Sequence, residues 1–330
     1  MKKKITGYKI EGFMRIGFKI AVLTLLFSAM GLFAQSAGTT AFEFLRNQYS
    51  PRGASMGGNL VAVKHDIEAT LYNPAAMSGA TDRQWSLDYT DHLLDFQGGN
   101  LAYSQPFRDW GNISMNLVYF NYGSFDETDD FGTKTGATFG ASEFAFSVGL
   151  SNPLGEGFDY GVGVKFIYSD IQNYNASAVA LDLGLIYTVP IVEEMILGAS
   201  LQNLGITLDN YTDYKEKVPL ILKIGFAKKL AHLPLLLTGS LEDLTTSENQ
   251  FLDRLKKFAL GGEFEISEVI RLRLGYQNDM HQSVKPLGRN IFGGVSAGLG
   301  IHWRQFRLDY AYSNFGDLGS QNRIGIRGTF

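Results

Sequence analysis

The sequence predicts an all-β fold: a transmembrane antiparallel β-barrel of about fourteen strands, with an N-terminal hatch or plug segment. Three observations predict it. From Trp85 onward, apolar residues alternate with small or charged ones at period two, which gives each strand two unlike faces. Most of these segments are close to the roughly 9–11 residues that cross a bilayer as tilted strands. The connections alternate between short and long, the outer-membrane barrel pattern.

Composition narrows the alternatives. The 330 residues include 38 glycines and 13% aromatics but only 19% charged side chains, which suits strands facing lipid on one side. The absence of cysteine excludes disulfides, zinc–thiolate sites and thiol nucleophiles. A net charge of −4 with no basic block leaves nucleic acid no electrostatic footprint.

The N-terminus reads as a signal peptide over 1–34, with Met14 as a possible true start. Arg15 and Lys19 precede the apolar run Ile20 to Phe33, and Ala34 offers a small-residue cleavage site. The run is shorter than the roughly 20 residues a spanning helix needs. No later run is longer, so a membrane-inserted chain must cross as a closed barrel. Residues 35–80 do not alternate. Gly53, Gly57 and Gly58 imply turns or close backbone approach, Asp66 is placed to cap a short helix, and Pro74 biases Asn73 away from the helical region. A barrel of this size is wider than its own side chains fill, so 35–80 is expected to plug the barrel formed by 81–330.

The strands are expected at 84–92, 97–106, 111–123, 141–150, 157–170, 176–189, 194–202, 217–228, 233–243, 256–266, 269–278, 292–303, 304–314 and 320–330. Phe306, Leu308, Tyr310 and Tyr312 should face out, and Arg307, Asp309, Ala311 and Ser313 in. Leu272, Leu274 and Tyr276 oppose Arg271, Arg273 and Gly275 in the same way. The connections 124–140, 203–216, 244–255 and 279–291 are long and polar. An even strand number then puts both termini on the short-turn, periplasmic side of a Gram-negative outer membrane. Trp85, Trp110 and Trp303 fall at that end, and Tyr89, Tyr119, Tyr122, Tyr168, Tyr276 and Tyr312 toward the other, as two aromatic girdles would. The last strand ends in Phe330, expected to act as an insertion signal.

Catalytic patterns are missing. His65, His92, His232, His281 and His302 show no metal-ligand spacing. Ser296 and His302 share a face but lie about 20 Å apart along a strand, too far for a nucleophile and its base. Gly293-Gly294 and Gly298-x-Gly300 lie in a strand with no helix following, which points to packing or curvature instead of a phosphate loop. No catalytic residue, metal site or cofactor is expected. The inward charges Glu263, Glu265, Arg271, Arg273, Arg307, Asp309, Arg323 and Arg327 fall on the last five strands. They form a channel wall, a docking wall for the N-terminal segment, or a salt-bridged network filling a narrow lumen. Phe125, Phe131 and Phe139 on 124–140, and Leu208, Tyr211 and Tyr214 on 203–216, are either partner contacts or aromatics packed on one another.

Before the strands, the order Phe42, Phe44-Leu45, Pro51-Arg52, Met56-Gly57-Gly58, Asp66 and Asn73-Pro74-Ala75 resembles the PorV/PorQ family over about 40 residues. That family carries a Phe-Leu pair, an Ala-Arg or Pro-Arg step, a Gly-Gly turn, an acidic stretch and an Asn-Pro-Ala motif in that order. A single Asp66 stands here in place of the acidic stretch. The resemblance implies a FadL-like barrel of fourteen strands with a lumenal hatch. It also implies a role in type IX secretion in Bacteroidetes-like bacteria. There, members carry cargo by its C-terminal domain to PorU- and PorZ-like attachment partners and make no bond themselves. A FadL-like uptake channel for hydrophobic small molecules shares the fold and is the competing function; a porin-like structural protein is a third.

Overall fold

A computed structural model of the chain describes residues 40–129, 131–245, 251–284 and 292–330. The signal segment expected over 1–34 lies outside the described residues, as do positions 35–39. Fourteen antiparallel strands close into one barrel, each paired with its neighbours in sequence. They are β1 (Gln84–Asp91), β2 (Gln97–Pro106), β3 (Asn112–Thr128), β4 (Lys134–Gly155) and β5 (Phe158–Ile171). β6 (Tyr174–Thr188), β7 (Met195–Asp209), β8 (Ile221–Lys229), β9 (Leu235–Leu241) and β10 (Phe258–Glu265) follow. β11 (Ile270–Gln277), β12 (Val295–Trp303), β13 (Phe306–Asn314) and β14 (Ser320–Thr329) complete the wall. β1 pairs with β14 from Gln84↔Thr329 to Asp91↔Asn322, which leaves the sheet no open edge along the seam.

The expected facing holds. On β13, Arg307, Asp309 and Ala311 are buried while Leu308, Tyr310 and Tyr312 are exposed. Leu87, Leu101, Val164, Leu274 and Ile324 continue an outward apolar surface around the barrel. So large an apolar belt matches lipid; soluble monomers rarely expose one. Trp110 and Trp303 are exposed at the short-turn end, and Trp85 packs edge-on against Phe306 there.

The structure differs from the expectation in two long connections. β3 and β4 continue through most of 124–140 as a paired hairpin closed at Thr128↔Lys134. Beyond the membrane both faces of a strand meet water, so the apolar alternation that reveals a strand disappears. β7 likewise absorbs the first part of 203–216, paired as far as Ser177↔Asp209. β8 starts four residues later than expected, at Ile221, because Pro219 offers no N–H to a ladder.

Residues 40–80 lie inside the barrel. They form a short α-helix (Pro51–Ser55) and 3-10 turns at Glu43–Arg46, Ile67–Leu71 and Pro74–Met77. Each start has a local cause. The Ser50 hydroxyl accepts from the Gly53 N–H at 2.9 Å with Pro51 in the first helical position. Asp66 caps its turn by accepting from Glu68 N–H at 3.0 Å, and Asn73 accepts from Ala75 N–H at 3.0 Å ahead of Pro74. Gly57 and Gly58, with φ of 71° and 78°, turn the chain out of the helix.

Glycines on the wall let this segment come close. A Cβ at Gly261, Gly275, Gly298 or Gly325 would collide with Met56, Gly57, Ser55 or Pro51. On the opposite wall a Cβ at Gly161, Gly184 or Gly198 would collide with Pro74 and Ala75, Asn73 or Val61. The expected packing role of Gly298 is therefore met, on the helix within the barrel.

The register yields a prediction at neighbouring positions. Ile326 faces out and Arg327 faces in. Ile326→Arg should lower the unfolding free energy in lipid vesicles by about 2–4 kcal/mol at mid-bilayer depth. Urea unfolding of the refolded barrel measures it, and an unchanged midpoint would contradict the assigned register.

Candidate functional site

The interior is built around a charge cluster joining the N-terminal segment to the wall. Asp66 accepts from Arg52 at 2.5 Å, Arg327 at 2.5 Å and Arg307 at 3.1 Å. Arg52 forks onto Glu263 at 2.9 and 2.6 Å. Arg273, 1% exposed, bridges Glu263 at 2.5 Å and Asp309 at 2.6 Å. Arg307 also bonds Asp309 and Glu68. Arg52, Arg273, Arg307 and Arg327 thus face Asp66, Glu68, Glu263 and Asp309, four charges against four. Burying eight charges is tolerable only with such pairing and directed hydrogen bonds. Burial by itself would raise the Asp66 carboxyl, but Arg327, Arg307 and Arg52 together hold it well below the usual carboxylate range.

The expected lumenal charges therefore divide. Glu263, Arg273, Arg307, Asp309 and Arg327 join the cluster. Glu265 and Arg271 form a separate, looser pair at 3.6 Å beside the β10–β11 turn. Arg323 stands apart toward the other end of β14, donating to Gln48 O at 2.5 Å and Ser313 Oγ at 3.1 Å.

The residues expected to mark the hatch converge on this interior. Phe42, Phe44, Met56, Asp66, Asn73 and Ala75 are buried, as are Pro51, Arg52, Gly57, Gly58 and Pro74, with Leu45 half-buried. Asn73 Nδ2 donates to Val61 O at 2.7 Å and to Leu185 O on β6 at 3.2 Å. Gln202 and Ser200 donate to Leu71 O and Tyr72 O at 2.9 and 2.6 Å. Asn112 reaches Ala80 O at 2.7 Å. Wall side chains thus satisfy the backbone of an irregular segment that has no sheet of its own.

Toward the long-connection end the interior fills with aromatic rings, with Glu143 buried among them and bonded by the Tyr122 hydroxyl. Phe120 packs edge-on against Tyr49 (6.3 Å), Phe96 (6.2 Å) and Tyr122 (4.8 Å). Phe96 continues to Phe125 at 6.3 Å, and Phe125 stacks on Phe139 at 5.5 Å. A chain of rings therefore runs from the outer hairpin to Tyr49, whose hydroxyl bonds Phe44 O at 2.9 Å. Tyr211 also turns inward, packing on Phe42 and bonding Ser169. Of the six aromatic and aliphatic positions picked as partner contacts, Phe125, Phe139 and Tyr211 are tied into this packing. Phe131 (93% exposed), Tyr214 (83%) and Leu208 (53%) project freely.

Between the segment and β3–β7 lies a cavity of about 50 Å³ lined by Leu45, Leu71, Val118, Lys165, Asp182 and Asn203. Lys165 bonds Asp182 at 2.9 Å and Asn203 at 2.6 Å, where β7 bulges opposite Asp182 and Asn203 takes φ 62°. An apolar cavity of about 150 Å³ takes a benzene ring, so this smaller, polar space suits water. Glu68 and Lys64–Asp159 at 2.5 Å were not anticipated, because their partners lie far away in sequence, and the Lys165–Asp182 pair between adjacent strands was not anticipated either.

Known structures share this architecture. The fold is that of the FadL-type barrels. The Pseudomonas putida toluene transporter TodX superposes with TM-score 0.56 at 11% identity, covering 86% of this chain and 97% of its own. The Ralstonia pickettii toluene transporter TbuX gives 0.54 at 11%, covering 85% and 97%. A Pseudomonas aeruginosa FadL homologue gives 0.52 at 12%, covering 86% and 98%. No family model and no curated protein matches the chain.

Asp66→Asn should loosen the segment at its centre, leaving three arginines short of charge at a cost of about 3–5 kcal/mol. Planar-bilayer recordings should show a conductance increase, and an unchanged conductance would remove the lock from Asp66. Because the folded carboxyl is depressed, its stabilisation is full above about pH 4 and drains away as pH falls further. Wild-type conductance should therefore rise in strong acid, whereas the Asn variant should lack that component.

Proposed function

We propose that this protein is a hatched outer-membrane channel for small hydrophobic molecules, with both termini periplasmic and 40–80 as its hatch. The observation that carries the reading is the chain of aromatic rings leading inward from the outer hairpin to Tyr49 and Phe44. It offers an apolar solute a stepwise path into a barrel whose remaining interior is charged. The toluene transporters that share the fold support the same class of solute. The 50 Å³ cavity cannot hold such a solute, so passage requires the hatch to shift. The test is toluene uptake by porin-deficient cells expressing the protein. Phe125→Ser with Phe139→Ser, at the accessible start of the path, should abolish uptake while leaving barrel yield intact, and equal uptake by both forms would overturn the aromatic path.

A second reading has its own observation. The motif from Phe42 to Ala75 resembles the PorV/PorQ hatch, and Phe131 and Tyr214 project from the end that carries the long connections. In this reading those loops hold PorU- and PorZ-like partners and cargo C-terminal domains during type IX secretion. A tagged protein pulled from native outer membranes would bring down a sortase-like partner and proteins sharing one C-terminal domain, and Phe131→Ser with Tyr214→Ser would lose them. Recovery of the barrel alone would remove this reading.

A further inference from the structure

Arg323 is a buried cation without an ionic partner. It is 3% exposed on the inward face of β14, and among the described residues no carboxylate pairs with it. Its bonds go to a carbonyl, a hydroxyl and an amide oxygen, those of Gln48, Ser313 and Gln321. A guanidinium has five N–H donors, so two remain. The other arginines of the interior cluster are each matched by carboxylates, which sets Arg323 apart.

The polar atoms around it are also unsatisfied. Thr90, opposite Arg323 in the β1–β14 register, has a buried hydroxyl with no hydrogen-bond partner. So does Tyr72, whose phenol is pushed up by burial and drawn back in part by the charge of Arg323, with Lys223 5.4 Å from its ring centroid. His92, at the end of β1, has an unpartnered Nδ1. Burial, then Arg323, pushes that imidazole down to about 4, so it is neutral at physiological pH. The Gln48 side chain lies against Gly58, and only its backbone carbonyl meets Arg323. Asp88, the inward carboxylate two positions along β1, faces Gly325 and is bonded by Asn100 at 3.4 Å.

We propose that Arg323, with the hydroxyls of Thr90 and Tyr72, forms an anion site inside the barrel that takes a small monovalent anion such as chloride. A buried guanidinium needs a countercharge, and two unpartnered hydroxyls can turn their hydrogens, beside its free N–H groups, toward whatever supplies it. His92 adds a third donor when its proton is on Nδ1. The site sits where the hatch meets β14, since the same guanidinium holds Gln48 O, so the anion braces the hatch and the wall together. It is independent of which molecule the barrel handles.

Bromide supplies the probe. Crystals of the detergent-purified full-length protein soaked in sodium bromide should show an anomalous peak beside the Arg323 guanidinium, absent from Arg323→Gln. Since that variant could misfold, Thr90→Val keeps the charge and should weaken bromide about fivefold, the loss of one hydrogen bond. Chloride should also raise the melting temperature relative to gluconate at equal ionic strength in wild type but not in Arg323→Gln. Bromide found only at exposed lysines, or a chloride effect that survives Arg323→Gln, would overturn the proposal.

Discussion

The ion cluster around Asp66 is the interaction on which the rest of the interior depends. Fourteen strands enclose more space than inward side chains fill, and residues 40–80 occupy it. Charges there have lost most of their water, and those of the cluster find their opposites within the protein. Asp66 and Glu68 come from the N-terminal segment, and Arg307, Arg327 and Arg273 from the wall. Neither part is neutral without the other. Charge thereby fixes the position of a segment that has too little regular structure to fix its own.

The two walls hold that segment by different means. Along β10–β14, arginines and carboxylates grip it beside glycines that admit the helix Pro51–Ser55. Along β5–β7, glycines admit the Asn73-Pro74-Ala75 turn, while Asn73, Ser200 and Gln202 bond backbone carbonyls. The polar cavity and the β7 bulge lie on this second side. A solute-driven shift would break fewer charged bonds here than along β10–β14.

Much of this was legible in the sequence, for stated physical reasons. Lipid outside and a filled lumen inside force the period-two pattern, so Leu308 against Arg307 and Asp309 identified a strand and its facing. The pattern fails once a strand leaves the bilayer, which is why residues 124–140 carry no strand signal although most of them pair in the β3–β4 hairpin. The segment motif from Phe42 to Ala75 was visible, but Glu68 was not, because a 3-10 turn carries no alternation to mark its inward side. Arg323 and Arg327 look equivalent along β14; the position of Asp66 makes one an ion-pair partner and leaves the other, among the described residues, without a carboxylate. Glu265 and Arg271 also alternate correctly, yet lie too near the turn to reach the cluster.

Amide hydrogen exchange of the barrel in detergent measures most directly whether the cluster locks the segment inside. If it does, amides from Gly53 to Gly58 and from Ile67 to Asn73 should exchange as slowly as those of β10–β14, although they belong to no sheet. Exchange there as fast as at the exposed hairpin tip around Phe131 would mean that the segment is not held, and that the cluster does not govern the interior.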